Sequence, residues 1–219
     1  MVETTPQLNF EYVPPKWNVD KLEGAVLHCL QVCGPLSGAA INAFCQRYAY
    51  ERNKKLPEDY GTRSLIPRML RARKVFRISE KLYALNPLLP FDANARLRLD
   101  AFWTFLENME GVDIASVIIG PPPAQISYIK NNRIYHIICC KDDGVFEMGM
   151  AANLELYMAH MLSSSKSVAQ VEERNFIMFK SKELLEGAPY KLHTKSLYGV
   201  VEYAEGCETP SILFSVPQN

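Results

Sequence analysis

Seven cations crowd one short stretch of the chain: Arg63, Arg68, Arg71, Arg73, Lys74, Arg77 and Lys81, with Glu80 as the only acid among them. DNA presents a dense line of phosphates, and each cation that neutralises one releases a condensed counterion, so affinity rises with every such contact. The imbalance extends beyond the cluster. Residues 20–87 carry twelve Lys or Arg against six Asp or Glu, a net of +6, whereas residues 88–219 carry eleven against sixteen, a net of −5. Residues 1–19 supply the remaining −1, so the formal net charge of zero hides a basic part beside an acidic one. Such asymmetry points to two modules with different partners.

The basic cluster needs elements to position it. Leu22, Val26, Cys29, Leu30 and Cys33 recur at spacings of three and four, which predicts a helix opened by Asp20 and stopped by Gly34-Pro35. Ser37 is a good N-cap for a second helix with Ala40, Ile41, Phe44 and Cys45 inward, running to Tyr48 or Tyr50. After a polar loop, Glu51 to Glu58, a third helix is expected over about Thr62–Arg73 with Leu65, Met69 and Leu70 on one side. Pro67 kinks that helix if Thr62 caps it, or begins it if the regular turns start there. Two short runs, Val75–Ile78 and Leu82–Leu85, flank Ser79-Glu80-Lys81 and predict a hairpin ended by Asn86-Pro87.

Three helices followed by a hairpin is the order of a winged helix-turn-helix, expected here over residues 20–87. In such a module the last helix enters the major groove while flanking groups hold phosphates. Arg63, Ser64 and Arg68 are then the expected base-edge contacts, and Arg71, Arg73, Lys74, Arg77 and Lys81 the expected phosphate contacts. Tyr60, Phe76 and Tyr83 form no evident stacking platform, so the expected partner is double-stranded DNA. The competing reading is a solvated basic face on a module used for protein contacts.

The rest of the chain predicts an α+β protein overall. Residues 1–19 read as an extended arm, because Pro14-Pro15 forbids helix, with Trp17 as its pin. Pro87 to Asp92 reads as a linker and residues 93–219 as an α/β domain. Its elements are a helix over Ala95–Met109, strands near Ala115–Ile119, Gln125–Ile129 and Ile134–Cys140, and a helix over Ala151–Leu162. A loop at Ser163–Ser167, a strand at Asn175–Phe179, a short helix at Ser181–Glu186 and closing strands at Leu197–Tyr203 and Ile212–Val216 follow. Lys130-Asn131-Asn132-Arg133 is a turn whose asparagines tolerate positive φ.

Helix, three strands, helix, strand is the order of a restriction-endonuclease-like core. Those nucleases hold a metal with an Asp opening the second strand and Glu-x-Lys on the third. Here the second strand opens Pro123-Ala124-Gln125, and the third ends Cys139-Cys140-Lys141. A hard cation needs oxygen ligands, so alanine and cysteine leave an inactive, degenerate site. A shifted register using Asp142, Asp143 or Glu147 is the alternative, a metal-dependent nuclease. In layout the chain resembles the replication-relaxation proteins of plasmids and conjugative elements in Gram-positive bacteria. The resemblance implies an accessory or regulatory DNA-binding protein of a mobile element, whose second domain serves self-association or partner contact.

Other chemistry is sparse. Cys29, Cys33 and Cys45 beside His28 lack zinc-knuckle spacing, and Cys29 and Cys33 fall on the apolar helix face. The six cysteines are irregularly spaced, so reduced thiols are expected. His136, His160 and His193 have no partner at recognisable spacing. No nucleophile motif or glycine-rich phosphate loop occurs, so no catalytic residue, metal or cofactor is expected. Met1 to Asp20 has no apolar run behind a basic start and no apolar run is long enough to span a bilayer, so no signal peptide is expected and the expected setting is cytoplasmic, without membrane contact. A homodimer through residues 90–219 is expected, with apolar strands at Tyr198–Val201 and Ile212–Val216 offering sheet edges. A monomer with blunted edges is the alternative.

Overall fold

The computed structural model describes residues 15–164, 172–188 and 196–215, and the arm before Pro15 lies outside them. The chain enters helix α1, Leu22–Cys33, through a turn at Asn18. Asp20 is not the cap: its own N–H donates to Asn18 Oδ1 at 3.1 Å, and Lys21 takes the cap position without a side-chain bond. Asn18 can press onto the helix because residue 24 is glycine; a Cβ there would meet the Asn18 carbonyl oxygen at 1.9 Å. Trp17 does pin the incoming chain, its Nε1–H donating to Gln31 Oε1 at 2.6 Å.

A two-residue strand that the sequence pattern did not announce, β1 (Leu36–Ser37), precedes helix α2, Gly38–Tyr50. Ser37 serves both, since its Oγ accepts the Ala40 N–H at 3.1 Å. The third helix begins as a π-helical turn over Gly61–Leu65 and continues as α3, Ile66–Arg71. This answers the difficulty at Pro67. The widened turn lies where a proline ring would strike the carbonyl four residues back, and Pro67 then sits at the start of the α-helical segment, where no N–H is needed. Strands β2 (Phe76–Arg77) and β3 (Leu82–Ala84) form the expected hairpin, and β1 adds to it, giving an antiparallel sheet in the order β1-β3-β2.

Helix α4, Ala93–Asn108, starts two residues earlier than its apolar face suggested because Asp92 Oδ1 accepts the Ala95 N–H at 2.8 Å. Part of the first expected strand is a 3-10 turn, Ile114–Ser116, capped by Asp113, so β4 shrinks to Ile118–Ile119. Strands β5 (Ile126–Lys130) and β6 (Arg133–Cys139) follow, joined by Asn131 and Asn132 at φ of 50° and 58°. Helix α5, Val145–Ser164, begins six residues before Ala151, where sequence periodicity placed its start. It includes Ser163 and Ser164; the rest of the loop expected there lies outside the described residues.

The chain closes with β7 (Glu172–Phe179), the short helix α6 (Lys182–Glu186), β8 (Ser196–Glu202) and β9 (Ser211–Ser215). The six strands form one mixed sheet in the order β4-β5-β6-β7-β8-β9, with β6, β7 and β8 parallel and the other pairs antiparallel. Strand β8 therefore lies inside the sheet rather than at an edge; the edges are β4 and β9.

The basic and acidic parts share one core. Helix α4 buries Ala95, Leu97, Leu99, Phe102, Phe105 and Leu106, and packs on α1 and α2 on one side and on β5 and β6 on the other. Ring contacts run without a break from Phe44 through Phe102, Phe105, Tyr128, Tyr135 and Phe176 to Phe214, with centroids 5.3–6.0 Å apart. Aromatic burial on this scale dominates packing energetics. Among the described residues, no helix is long and apolar enough to cross a membrane.

Candidate functional site

All eight residues picked out as DNA contacts are exposed: Arg63, Ser64, Arg68, Arg71, Arg73, Lys74, Arg77 and Lys81. They lie on the π turn, on α3, on the turn after it and on the hairpin. Their electrostatic situations differ. Arg63 pairs with Asp59 at 2.5 Å. Glu23 on α1 holds both Arg68, at 3.0 Å, and Lys74, at 2.6 Å. The Lys74 hydrogen bond, with the Arg68 charge, keeps the Glu23 carboxyl below its ordinary range. Lys81 pairs with Glu208 in the turn between β8 and β9, tying the hairpin to the acidic part.

Arg71, Arg73 and Arg77 make no ion pair among the described residues. Arg71 Nε donates to the Pro67 carbonyl at 3.3 Å. Arg77 Nε donates to the carbonyls of Glu80 at 2.9 Å and Ser79 at 3.2 Å, so it braces the hairpin turn as well as exposing charge. Arg73 is the residue with φ of 54° that ends α3. Its N–H donates to Leu70 O at 3.0 Å, and the Lys74 N–H reaches Met69 O at 2.9 Å. This is the helix-ending motif in which glycine is the usual residue.

The acids and the alanine singled out in the second part also come together. Ala124, Gln125, Lys141, Asp142, Asp143 and Glu147 line one open cleft of about 770 Å³ between α4, the β4–β5 connection and the start of α5. Gln125 spans the end of β6, its Oε1 accepting the Cys139 N–H at 2.6 Å. Asp143 Oδ1 accepts the Val145 N–H at 3.0 Å and so starts α5. Glu147, in the first turn of α5, is 8 % exposed, and its Oε2 has no hydrogen-bond partner. Among the described residues, no group of three or more His, Cys, Asp or Glu side chains converges to hold a metal ion. Arg98 was not legible as a cleft residue from its sequence position; its Nε donates to Cys33 O at the end of α1, at 3.2 Å, while the side chain lines the cleft.

The cysteine and histidine candidates have structural places. Cys29, Cys33, Cys45, Cys139 and Cys140 are buried free thiols, and Cys207 is an exposed one. Burial pushes the Cys45 thiol up to about 12, and pushes those of Cys29 and Cys33 up as well. A buried thiol held protonated is a poor ligand and nucleophile. His28 Nε2 lies 2.8 Å from the Val117 carbonyl oxygen, linking α1 to the residue before β4. His136 Nδ1 sits 2.7 Å from Ser127 Oγ, and burial lowers its pKa. The side chain of His160 and all of His193 lie outside the described residues. Comparison of the chain with protein families, with curated proteins and with solved structures finds no match.

Proposed function

We propose that residues 20–87 are a winged helix that binds double-stranded DNA, with α3 in the major groove and the β2–β3 hairpin as the wing, in an accessory or regulatory protein rather than an enzyme. The observation that carries this reading is the uncompensated, exposed arginines at the end of α3 and on the hairpin. Arg73 is the most telling of them. A residue other than glycine at positive φ costs about 1 kcal/mol, and among the described residues the Arg73 side chain enters no hydrogen bond or ion pair that offsets it. A charge kept at a glycine position fits a phosphate contact.

The test follows from that geometry. In the full chain, Arg71→Glu with Arg73→Gly should weaken binding to a 30-base-pair duplex by roughly a hundredfold at low salt, since two phosphate contacts go and one repulsion is added. Arg73→Gly alone should leave the unfolding temperature unchanged or higher. Unaltered affinity in the double variant refutes the proposal.

A second reading, an adaptor that binds protein and not DNA, draws on Asp59, Glu23 and Glu208, which already balance Arg63, Arg68, Lys74 and Lys81. The same titration decides between the two. For the second part we propose self-association through edge strand β9, where Leu213 and Phe214 are 58 % and 42 % exposed. An edge strand offers unpaired backbone groups to a second copy. Light scattering of the full chain should give a dimer mass that Leu213→Lys converts to monomer; a monomer mass for the unaltered chain removes this part of the proposal. The alternative of a metal-dependent nuclease at Asp142, Asp143 and Glu147 requires cleavage of DNA with magnesium or manganese that is lost in Asp142→Ala.

A further inference from the structure

The cleft contains a carboxylate that the fold leaves unsatisfied. Glu147 is buried, its Oε2 has no hydrogen-bond partner, and it enters no ion pair among the described residues. The positive end of α5 offers it some compensation, yet a desolvated charge is tolerable only when it is paired and hydrogen-bonded. The surrounding groups do not supply that pairing. Arg98 and Lys141, the cations that line the cleft, form no ion pair with Glu147 among the described residues, and Arg98 spends its Nε on Cys33 O.

The walls narrow the choice of ligand. Leu97, Ile119, Phe146 and Met150 give the cleft an apolar side, and Ile119 and Phe146 are 65 % and 71 % exposed at its mouth. Three acids, Glu147, Asp142 and Asp143, face two cations, Arg98 and Lys141, so the lining carries a net negative charge that disfavours an anion. A hard divalent ion needs several oxygen ligands, and no such group of side chains converges among the described residues. An opening of about 770 Å³ lies in the range of small-molecule pockets, which are mostly apolar with a few placed polar groups. We infer that the cleft binds a small organic cation, an amine on an apolar body, with the ammonium donating to Glu147 and the body lying against Leu97, Ile119, Phe146 and Met150. The site is independent of DNA binding by residues 20–87, and either proposal can fail alone.

Calorimetric titration of the full chain with 2-phenylethylamine, and with 2-phenylethanol as the neutral counterpart, tests the inference. The amine should bind saturably, and the alcohol roughly tenfold or more weakly, because a charge-assisted hydrogen bond is lost. Glu147→Gln should abolish the difference between the two probes. Phe146→Ala removes an exposed ring without touching the core and should weaken both, which keeps the test valid if Glu147→Gln folds poorly. Methyl shifts of Met150 should follow the amine titration. Equal affinity of the two probes overturns the inference, as does amine binding unchanged in Glu147→Gln, or no saturable binding of either. A blocked Leu-Lys-Phe tripeptide that binds more tightly than the amine overturns it in favour of a partner chain.

Discussion

The basic face around α3 and the cleft beside α5 handle charge in opposite ways. On the basic face seven cations stand in water, and three acids from α1, the loop before the π turn and the β8–β9 turn balance four of them. Exposed pairs of this kind are weak and are screened by salt. They can exchange one anion for another, carboxylate for phosphate, at little cost. In the cleft the Glu147 carboxyl is withdrawn from water, with Oε2 lacking a hydrogen bond and no ion pair among the described residues. Its Oε2 has no hydrogen-bond partner to exchange, which leaves that oxygen open to a ligand. Density of exposed charge suits a polyanion read along its length; one buried charge in a half-apolar cleft suits a small ligand.

This contrast presupposes that both surfaces rest on one frame, and the largest expected effect comes from breaking it. Phe105 is fully buried between Phe102 and Tyr128. Phe105→Ala should cost about 3–5 kcal/mol, measured by urea unfolding. Loss of duplex binding and loss of Met150 methyl dispersion should then shift to lower urea together. Two separate transitions, with only one of them moved, would show that the basic and acidic parts fold independently.

A smaller effect is expected from a change on the basic side. Ser37→Ala removes the cap of α2 and should cost about 1 kcal/mol, read as a lowered urea midpoint with duplex affinity unchanged at low urea. The smallest concerns Glu23. Its folded pKa lies below its ordinary value, so its pairing contributes stability above the ordinary carboxylate range and loses it as pH falls through the folded value. A carbon-detected titration of the Glu23 carboxyl should have its midpoint below 4.5, and Lys74→Ala should move that midpoint up towards 4.5. An unmoved midpoint would mean that Lys74 stands free of Glu23 and is available to phosphate from the outset.

The basic side was readable in the sequence because its signals are local. Ser37 caps the helix it was expected to cap, the Ser79-Glu80-Lys81 turn joins two strands, and the cations are countable. Where local signals stop, so did legibility. Strand β1 is two residues long and exists only because β3, more than forty residues later, pairs with it. The π turn is fixed by Asn42, whose Oδ1 accepts the Thr62 N–H at 2.8 Å and lies where a Cβ on residue 61 would fall, 2.6 Å away. The cleft was half visible. Ala124, Lys141, Asp142, Asp143 and Glu147 stood out by type, but Glu147 became distinctive through burial, which depends on where α5 starts. Arg98 carried no signal at all, since its role comes from the approach of α4 to the end of α1.

The central claim, that the basic face binds duplex DNA through its exposed cations, is tested most directly by salt. Fluorescence anisotropy of a labelled 30-base-pair duplex with the full chain should be recorded from 50 to 200 mM potassium chloride. Three unpaired arginines alone predict a slope of log affinity against log salt of about −2.7 or steeper, at about 0.9 per phosphate. Binding that is absent at the lowest salt, or an affinity that does not change across the series, contradicts the account.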